Sequence, residues 1–290
     1  MFDRFENRVI LTGRVIAKTG LHIGSGGSLE PVGSNNPVVR DAQGKPYIPG
    51  SSFKGVLRSR IEAILWGLNP EEDKDRIRSC NPVVEDEWCV KRERMNELRE
   101  KVRQGELNDD RLTDALLKES CAVCKLFGSP WLASKVQIKD LYITGEWLDY
   151  VEVRDGVAID RDTETAAERR KFDFEAVPSG TTFALKIVVE NTEPEELGLL
   201  FVGLGEFNNG GASLGGIVSR GLGKVSVELD QIDEIDSKDR KTFIEYLKSG
   251  EVKPKAKSRN EVEAYKKDKI NAFIQTLESE VEKGAQEAAE

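Results

Sequence analysis

Residues 44–60, Gly-Lys-Pro-Tyr-Ile-Pro-Gly-Ser-Ser-Phe-Lys-Gly-Val-Leu-Arg-Ser-Arg, constrain the chain more than any other stretch. Two prolines and two glycines exclude regular structure up to Gly50, and Ser51 or Ser52 then supplies an N-cap oxygen for a helix opening at about Phe53. The fold must therefore deliver a helix start on a stiff turn. Phe53, Leu57, Ile61, Ile64 and Leu65 recur at helical spacing and predict one buried stripe, while Lys54 and Arg58, four apart, share another face. Open N–H groups, the positive end of the helix dipole, two hydroxyls and two cations describe an anion site. Taken alone, the same residues also describe an ordinary capped amphipathic helix.

The chain has 290 residues, enough to bury a proper core, and a net charge of −9. That charge excludes a uniformly basic nucleic-acid binder and leaves room for a local basic groove. No run of apolar residues is long enough to span a bilayer, and the first residues lack the apolar centre of a signal peptide, so a cytoplasmic protein with no membrane partner is expected.

Residues 8–18 are rich in β-branched residues and partly alternate, which predicts a strand. A glycine-rich segment, 19–28, follows around His22, the only histidine; glycines let a backbone approach a ligand closely, and the imidazole can donate to phosphate or stack on a base. Residues 29–41 read as a loop ending in a short strand at Val38 to Arg40. Further on, 136–141 and 147–153 read as strands around a polar segment, 154–172, with clustered Arg161, Arg169, Arg170 and Lys171. The alternation of 181–190 predicts the strongest strand, and Leu197, Leu200, Phe201 and Leu204 predict a helix over 195–207. A glycine-dense loop at 208–223 holds Gly215, Gly216 and Arg220; it is no Walker loop, and its natural use is close approach to a phosphate chain. A strand at 224–229 closes this part.

All four cysteines, Cys80, Cys89, Cys121 and Cys124, bracket an insertion-like segment over 66–124 with helices expected at 96–103 and 111–120. The CxxC pair and four soft ligands suit a structural Zn²⁺ that staples the insertion to the main domain. The eight residues between Cys80 and Cys89 exceed the usual zinc spacing. A redox CxxC, disulfides and buried thiols are the other readings; a thioredoxin-like context is not visible, and most cytoplasms disfavour disulfides. Residues 231–290 change character, with two helical patterns at 239–248 and 261–283 separated at 253–257, and read as a charged helical C-terminal extension. The order of elements over 1–230 predicts an α+β core of the split βαβ, ferredoxin-like (RRM-like) type, without the RRM stacking aromatics.

Gly20-Leu-His-Ile-Gly24, Asn36-Pro-Val-Val-Arg-Asp41 and Pro46 to Arg58, followed by Gly156 to Arg161, Phe174 to Thr181 and Leu214 to Val225, stand in the order and spacing of the RAMP superfamily of CRISPR-associated proteins. Within it the chain resembles the repeated backbone subunit of type III effector complexes. The resemblance implies an RRM-like fold that polymerises along CRISPR RNA, with target RNA, copies of itself and other type III subunits as partners. It places guide contacts at His22, Ser51, Ser52, Lys54, Arg58, Gly215, Gly216 and Arg220. It also implies a thumb hairpin at 154–172 carrying Arg161, Thr165, Ala166 and Arg169. Target cleavage in the family uses an aspartate and Mg²⁺ or another divalent cation, and the matching position here is Asn35, which implies a cleavage-deficient chain. Asp41 belongs to the strand end of the motif and is not expected to act. Two alternatives are a guide-processing endoribonuclease of another RAMP branch, using His22, and a zinc-containing scaffold that binds no RNA.

Overall fold

Alternation in the first strand sets the architecture: Val9, Leu11, Val15 and Ala17 are buried, while Thr12 and Arg14 are exposed. The computed structural model describes residues 4–26, 34, 36–68, 79–145, 147, 149–159, 161–162, 164, 166–252 and 254–287, with backbone alone at 158–159, 166–171 and 280–287. In chain order the elements are β1 (Asn7–Ala17), β2 (Tyr47–Ile48), α1 (Gly50–Trp66), α2 (Arg92–Arg103), α3 (Asp109–Glu119), α4 (Ala122–Phe127), β3 (Val136–Ile138) and β4 (Leu141–Tyr142). They continue with β5 (Glu152–Ile159), β6 (Ala166–Ala176), β7 (Thr182–Glu190), α5 (Pro194–Asn209), β8 (Val225–Asp236), α6 (Arg240–Ser249), β9 (Pro254–Ala256) and α7 (Arg259–Glu287).

The main sheet is antiparallel in the order β3-β7-β1-β8-β9. Register stacks the buried residues: Val9 opposes Val189, Leu11 opposes Ile187, and Val15 lies between Phe183 and Val227. A bulge at Thr12/Gly13 shifts the β1–β8 register, and Gly13 is required there because a Cβ would strike the Glu228 carbonyl. Helices α1 and α5 cover one face and share a core with it, Phe53 stacking on Phe207 at 4.9 Å. Gly203 lets α5 settle on Leu57 and Ile61 of α1. The predicted stripe is present, with Phe53, Leu57, Ile61 and Leu65 buried and Ile64 half-buried.

The structure departs from the sequence reading at the start of α1. The helix opens at Gly50 with Pro49 as its N-cap, so Ser51 and Ser52 lie inside the first turn and neither caps it. The capping carboxylate comes from a distance: the Gly50 N–H donates to Asp140 Oδ1 at 2.8 Å. Asp140 also divides the expected 136–141 strand, because β3 pairs with β7 whereas β4 pairs with β2 in a separate ribbon. Instead of a strand at Val38 to Arg40 there are isolated bridges, Gly24 to Val38 and Arg40 to Pro46. The strand expected over 147–153 begins at Glu152, and β5 and β6 form a two-stranded hairpin.

The C-terminal stretch does not stand apart at residue 231. Strand β8 runs through that position to Asp236, β9 extends the sheet, and α7 lies on α5 where Gly198 meets the Lys269 carbonyl. Val262 and Phe273 are buried, and Tyr265 meets Phe201 edge-on at 6.1 Å. The two expected helices correspond to α6 and α7, and residue 231 falls inside β8, which has buried residues on both sides of it, Val225 and Val227 before and Ile232 and Ile235 after. Helices α2 and α3 enclose a second, small core of Val90, Met95, Leu98, Leu116 and Leu132. No helix among the described residues is long and apolar enough to cross a membrane.

Candidate functional site

Four segments far apart in sequence converge beside the root of the β5–β6 hairpin. Leu21 and Val177 exchange backbone hydrogen bonds at 2.9 and 2.8 Å, and the Val39 N–H donates to the Ile23 carbonyl at 2.9 Å. The Gly216 N–H donates to the His22 carbonyl at 2.8 Å, and the Gly223 N–H to the Gly20 carbonyl at 2.9 Å. The glycine-rich segments at 20–24 and 212–223 are thus zipped to each other, and the first also to Val177 just past the end of β6. Gly215, at φ 80°, lies so close to the His22 carbonyl that a Cβ would collide with it.

Glu175 is the node that sequence reasoning missed. Its carboxylate, 14% exposed, accepts from the Val38 N–H and from the Arg40 guanidinium, each at 3.0 Å, while its own N–H donates to the Asn36 carbonyl at 3.0 Å. Asn36 Nδ2 adds a bond to the Asp173 carbonyl at 3.1 Å. The string Phe174-Glu-Ala-Val-Pro carried the only signal, a carboxylate between apolar residues on a strand whose inner face is buried. Asp41 closes a turn, accepting from the Gln43 and Lys45 N–H groups, each at 2.9 Å.

His22 is 8% exposed, edge-on to Phe174 at 5.8 Å. Its Nδ1 lies 2.7 Å from the Glu175 carbonyl, which can only accept, so Nδ1 carries the proton. Arg220 is exposed, and its guanidinium lies 5.3 Å from the centre of the Phe172 ring, which itself covers the cross-strand partner Gly156. Gly215, Gly216 and Ser51 are exposed and Ser52 half-buried. Arg161 is exposed near the hairpin tip, and Ala166 and Arg169 belong to β6. Asn35 and Thr165 lie outside the described residues.

Lys54 and Arg58, expected together with Ser51 and Ser52 on an anion site, turn into the protein. Lys54 Nζ donates to Ser134 Oγ at 2.7 Å and to the Val136 carbonyl at 2.9 Å. Burial, and then the neighbouring Arg58, holds its ammonium below the ordinary lysine range. Arg58 donates to Glu62 Oε1 at 2.7 Å and to the Gly128 carbonyl at 3.1 Å. Helical spacing alone could not distinguish a solvent-facing cation from one aimed at a loop 70 residues away.

The four cysteines do meet. Their sulfurs all lie within 4.8 Å of one another, with Cys80 and Cys124 at 3.5 Å and Cys80 and Cys121 at 3.7 Å, and none is in a disulfide. A tetrahedral ion about 2.3 Å from each sulfur sets neighbouring sulfurs ~3.8 Å apart, so the donor set fits a closed Cys₄ site. The long Cys80–Cys89 spacing is absorbed by a tight loop around a 3₁₀ turn at Glu85–Glu87. Trp88 Nε1 donates to the Pro82 carbonyl at 3.0 Å across its neck. The thiols also hydrogen-bond one another: this donation, first from Cys121, pulls Cys89 down, and the same contacts, first with Cys121, push Cys124 up. Without a cation the cluster cannot carry four thiolates; binding one would release the remaining protons.

The sequence profile of the RAMP superfamily matches residues 14–226. The chain belongs to the RAMP superfamily. This RAMP protein is 29% identical over 262 residues to a protein of Methanothermobacter thermautotrophicus named CRISPR system Cms endoribonuclease Csm3, the match covering 80% of the chain and 88% of that relative. A protein of the same name from Methanocaldococcus jannaschii is 26% identical over 235 residues, covering 76% of the chain and 78% of the relative. The matched RAMP region takes in both glycine segments, the Glu175 node, α1 and the cysteines.

Proposed function

We propose that this RAMP protein is a guide-RNA-binding backbone subunit of a type III CRISPR effector complex. It would oligomerise along CRISPR RNA and present target RNA to the assembly. The observation that carries the reading is the zipped cradle: two glycine segments and the hairpin root locked around His22 and Glu175, with Gly215, Gly216 and Arg220 exposed on it. Exposed glycine backbone and an arginine suit phosphate contacts, which position a strand without reading its bases. The β5–β6 hairpin would act as the thumb, and the connectivity β1-α1-β3-β7-α5-β8 in the order β3-β7-β1-β8 supports a ferredoxin-like core.

Cys80, Cys89, Cys121 and Cys124 would hold a structural Zn²⁺, which supplies cross-linking of the insertion to α4 and no chemistry on RNA. The relatives' name, endoribonuclease, points to RNA cleavage. At position 35, however, an amide is a neutral ligand and no proton acceptor, a poor fit for Mg²⁺, and no cleavage step is assigned to this chain. The guide-processing alternative asks His22 to act as acid or base, yet its ring is buried and Nδ1 is committed to a carbonyl.

Isolating the protein with its complex and sequencing the bound RNA tests the reading. Repeat-derived RNA protected in regular steps is expected; a complex with no RNA overturns it. In that complex Asn35→Asp is expected to create divalent-dependent target cleavage, and an inert Asn35→Asp complex would remove position 35 from the cleavage reading.

A further inference from the structure

We infer that Arg58 serves the four-cysteine centre as the cation that balances its thiolate charge, and does not contact RNA. The inference rests on reading the cysteines as metal ligands. Four thiolates around one divalent ion leave a net charge of about −2 inside the protein, and a buried charge needs a partner. Among the described residues lining the 310 Å³ cavity at the cysteines, Arg58 is the charged one. Its terminal nitrogen Nη2 lies 3.9 Å from Cys124 Sγ.

The guanidinium is held in that pose from its other edges. Nε donates to Glu62 Oε1 and Nη1 to the Gly128 carbonyl, and the Arg58 and Glu62 side chains are 22% and 19% exposed. Gly128 has φ 88° and ends α4, the helix that carries Cys124. A planar fork can bridge a carboxylate, a carbonyl and a sulfur at once, which the point charge of a lysine cannot. Arg58 thereby ties α1 to the turn behind the metal ligands, as partners of ligating groups do elsewhere by fixing ligand orientation.

Zinc affinity measured on the purified full chain with a competing chromogenic chelator tests this. The same proteins are also loaded with Co²⁺ to read the thiolate-to-metal absorption, and titrated with a single-stranded RNA oligonucleotide. Arg58→Gln is expected to weaken zinc binding about 10–100-fold and to shift the cobalt spectrum, with RNA affinity per folded, metal-loaded molecule unchanged. Arg58→Lys should recover only part of the zinc affinity, and it supplies the comparison should the glutamine variant fold poorly. Unchanged zinc affinity with weakened, less salt-dependent RNA binding would overturn the inference and leave the metal reading standing. A wild-type chain that binds neither zinc nor cobalt overturns both.

Discussion

The four-cysteine centre and the glycine cradle each join segments distant in sequence, by opposite means. The centre is held by side chains: four sulfurs within 4.8 Å, with Arg58 beside them. The cradle is held mainly by backbone: reciprocal bonds between Leu21 and Val177, Gly216 to His22, Gly223 to Gly20, with the Glu175 carboxylate tying β6 to residues 38–40. The difference follows from what each supports. The insertion has only a small core of its own, which the clustered cysteines supplement, whereas the cradle rests on a sheet with a large core, and in the proposed function its low backbone surface leaves room for an RNA strand.

Metal removal is the strongest way to break this comparison. Chelation, or Cys124→Ser, is expected to cost a large share of the ~10 kcal/mol that structural zinc supplies to small domains. Hydrogen exchange should show α2 and α3 losing protection while β1 and β7 keep theirs. Equal loss in both regions would mean that the centre supports the whole fold and the two regions are one unit.

A milder effect is expected in the cradle. Gly215→Ala places a Cβ at φ 80° against the His22 carbonyl, costing about 2 kcal/mol through strain and displacement of the loop. Zinc content should be unchanged and RNA affinity reduced at least ~10-fold. A variant that loses stability but binds RNA normally would detach the cradle from the proposed binding surface.

The smallest effect sharpens the contrast on α1. Lys54 is depressed in the folded protein, so the unfolded chain binds more protons between the folded value and 10.5. Stability should therefore rise with pH through that window, and denaturant unfolding of Lys54→Met should lack that rise. An identical pH profile in the variant would mean that Lys54 is solvated, restoring it as a candidate surface cation.

Much of this protein was settled by local sequence alone. Alternation in β1 and β7, the helical stripes of α1 and α5, the breaks at Gly105 and Asn108 and the cysteine set depend on neighbours in the chain, where side-chain period and residue chemistry are directly visible. Tertiary structure alone decided which distant polar group met each exposed end. Asp140 rather than a serine caps α1, Glu175 bridges the cradle, β9 and α7 join the main core, and Lys54 and Arg58 point inward. Periodicity says which face of an element is apolar. The partner of a polar group is chosen by strand order and loop closure, which bring together residues whose separation in sequence carries no signal.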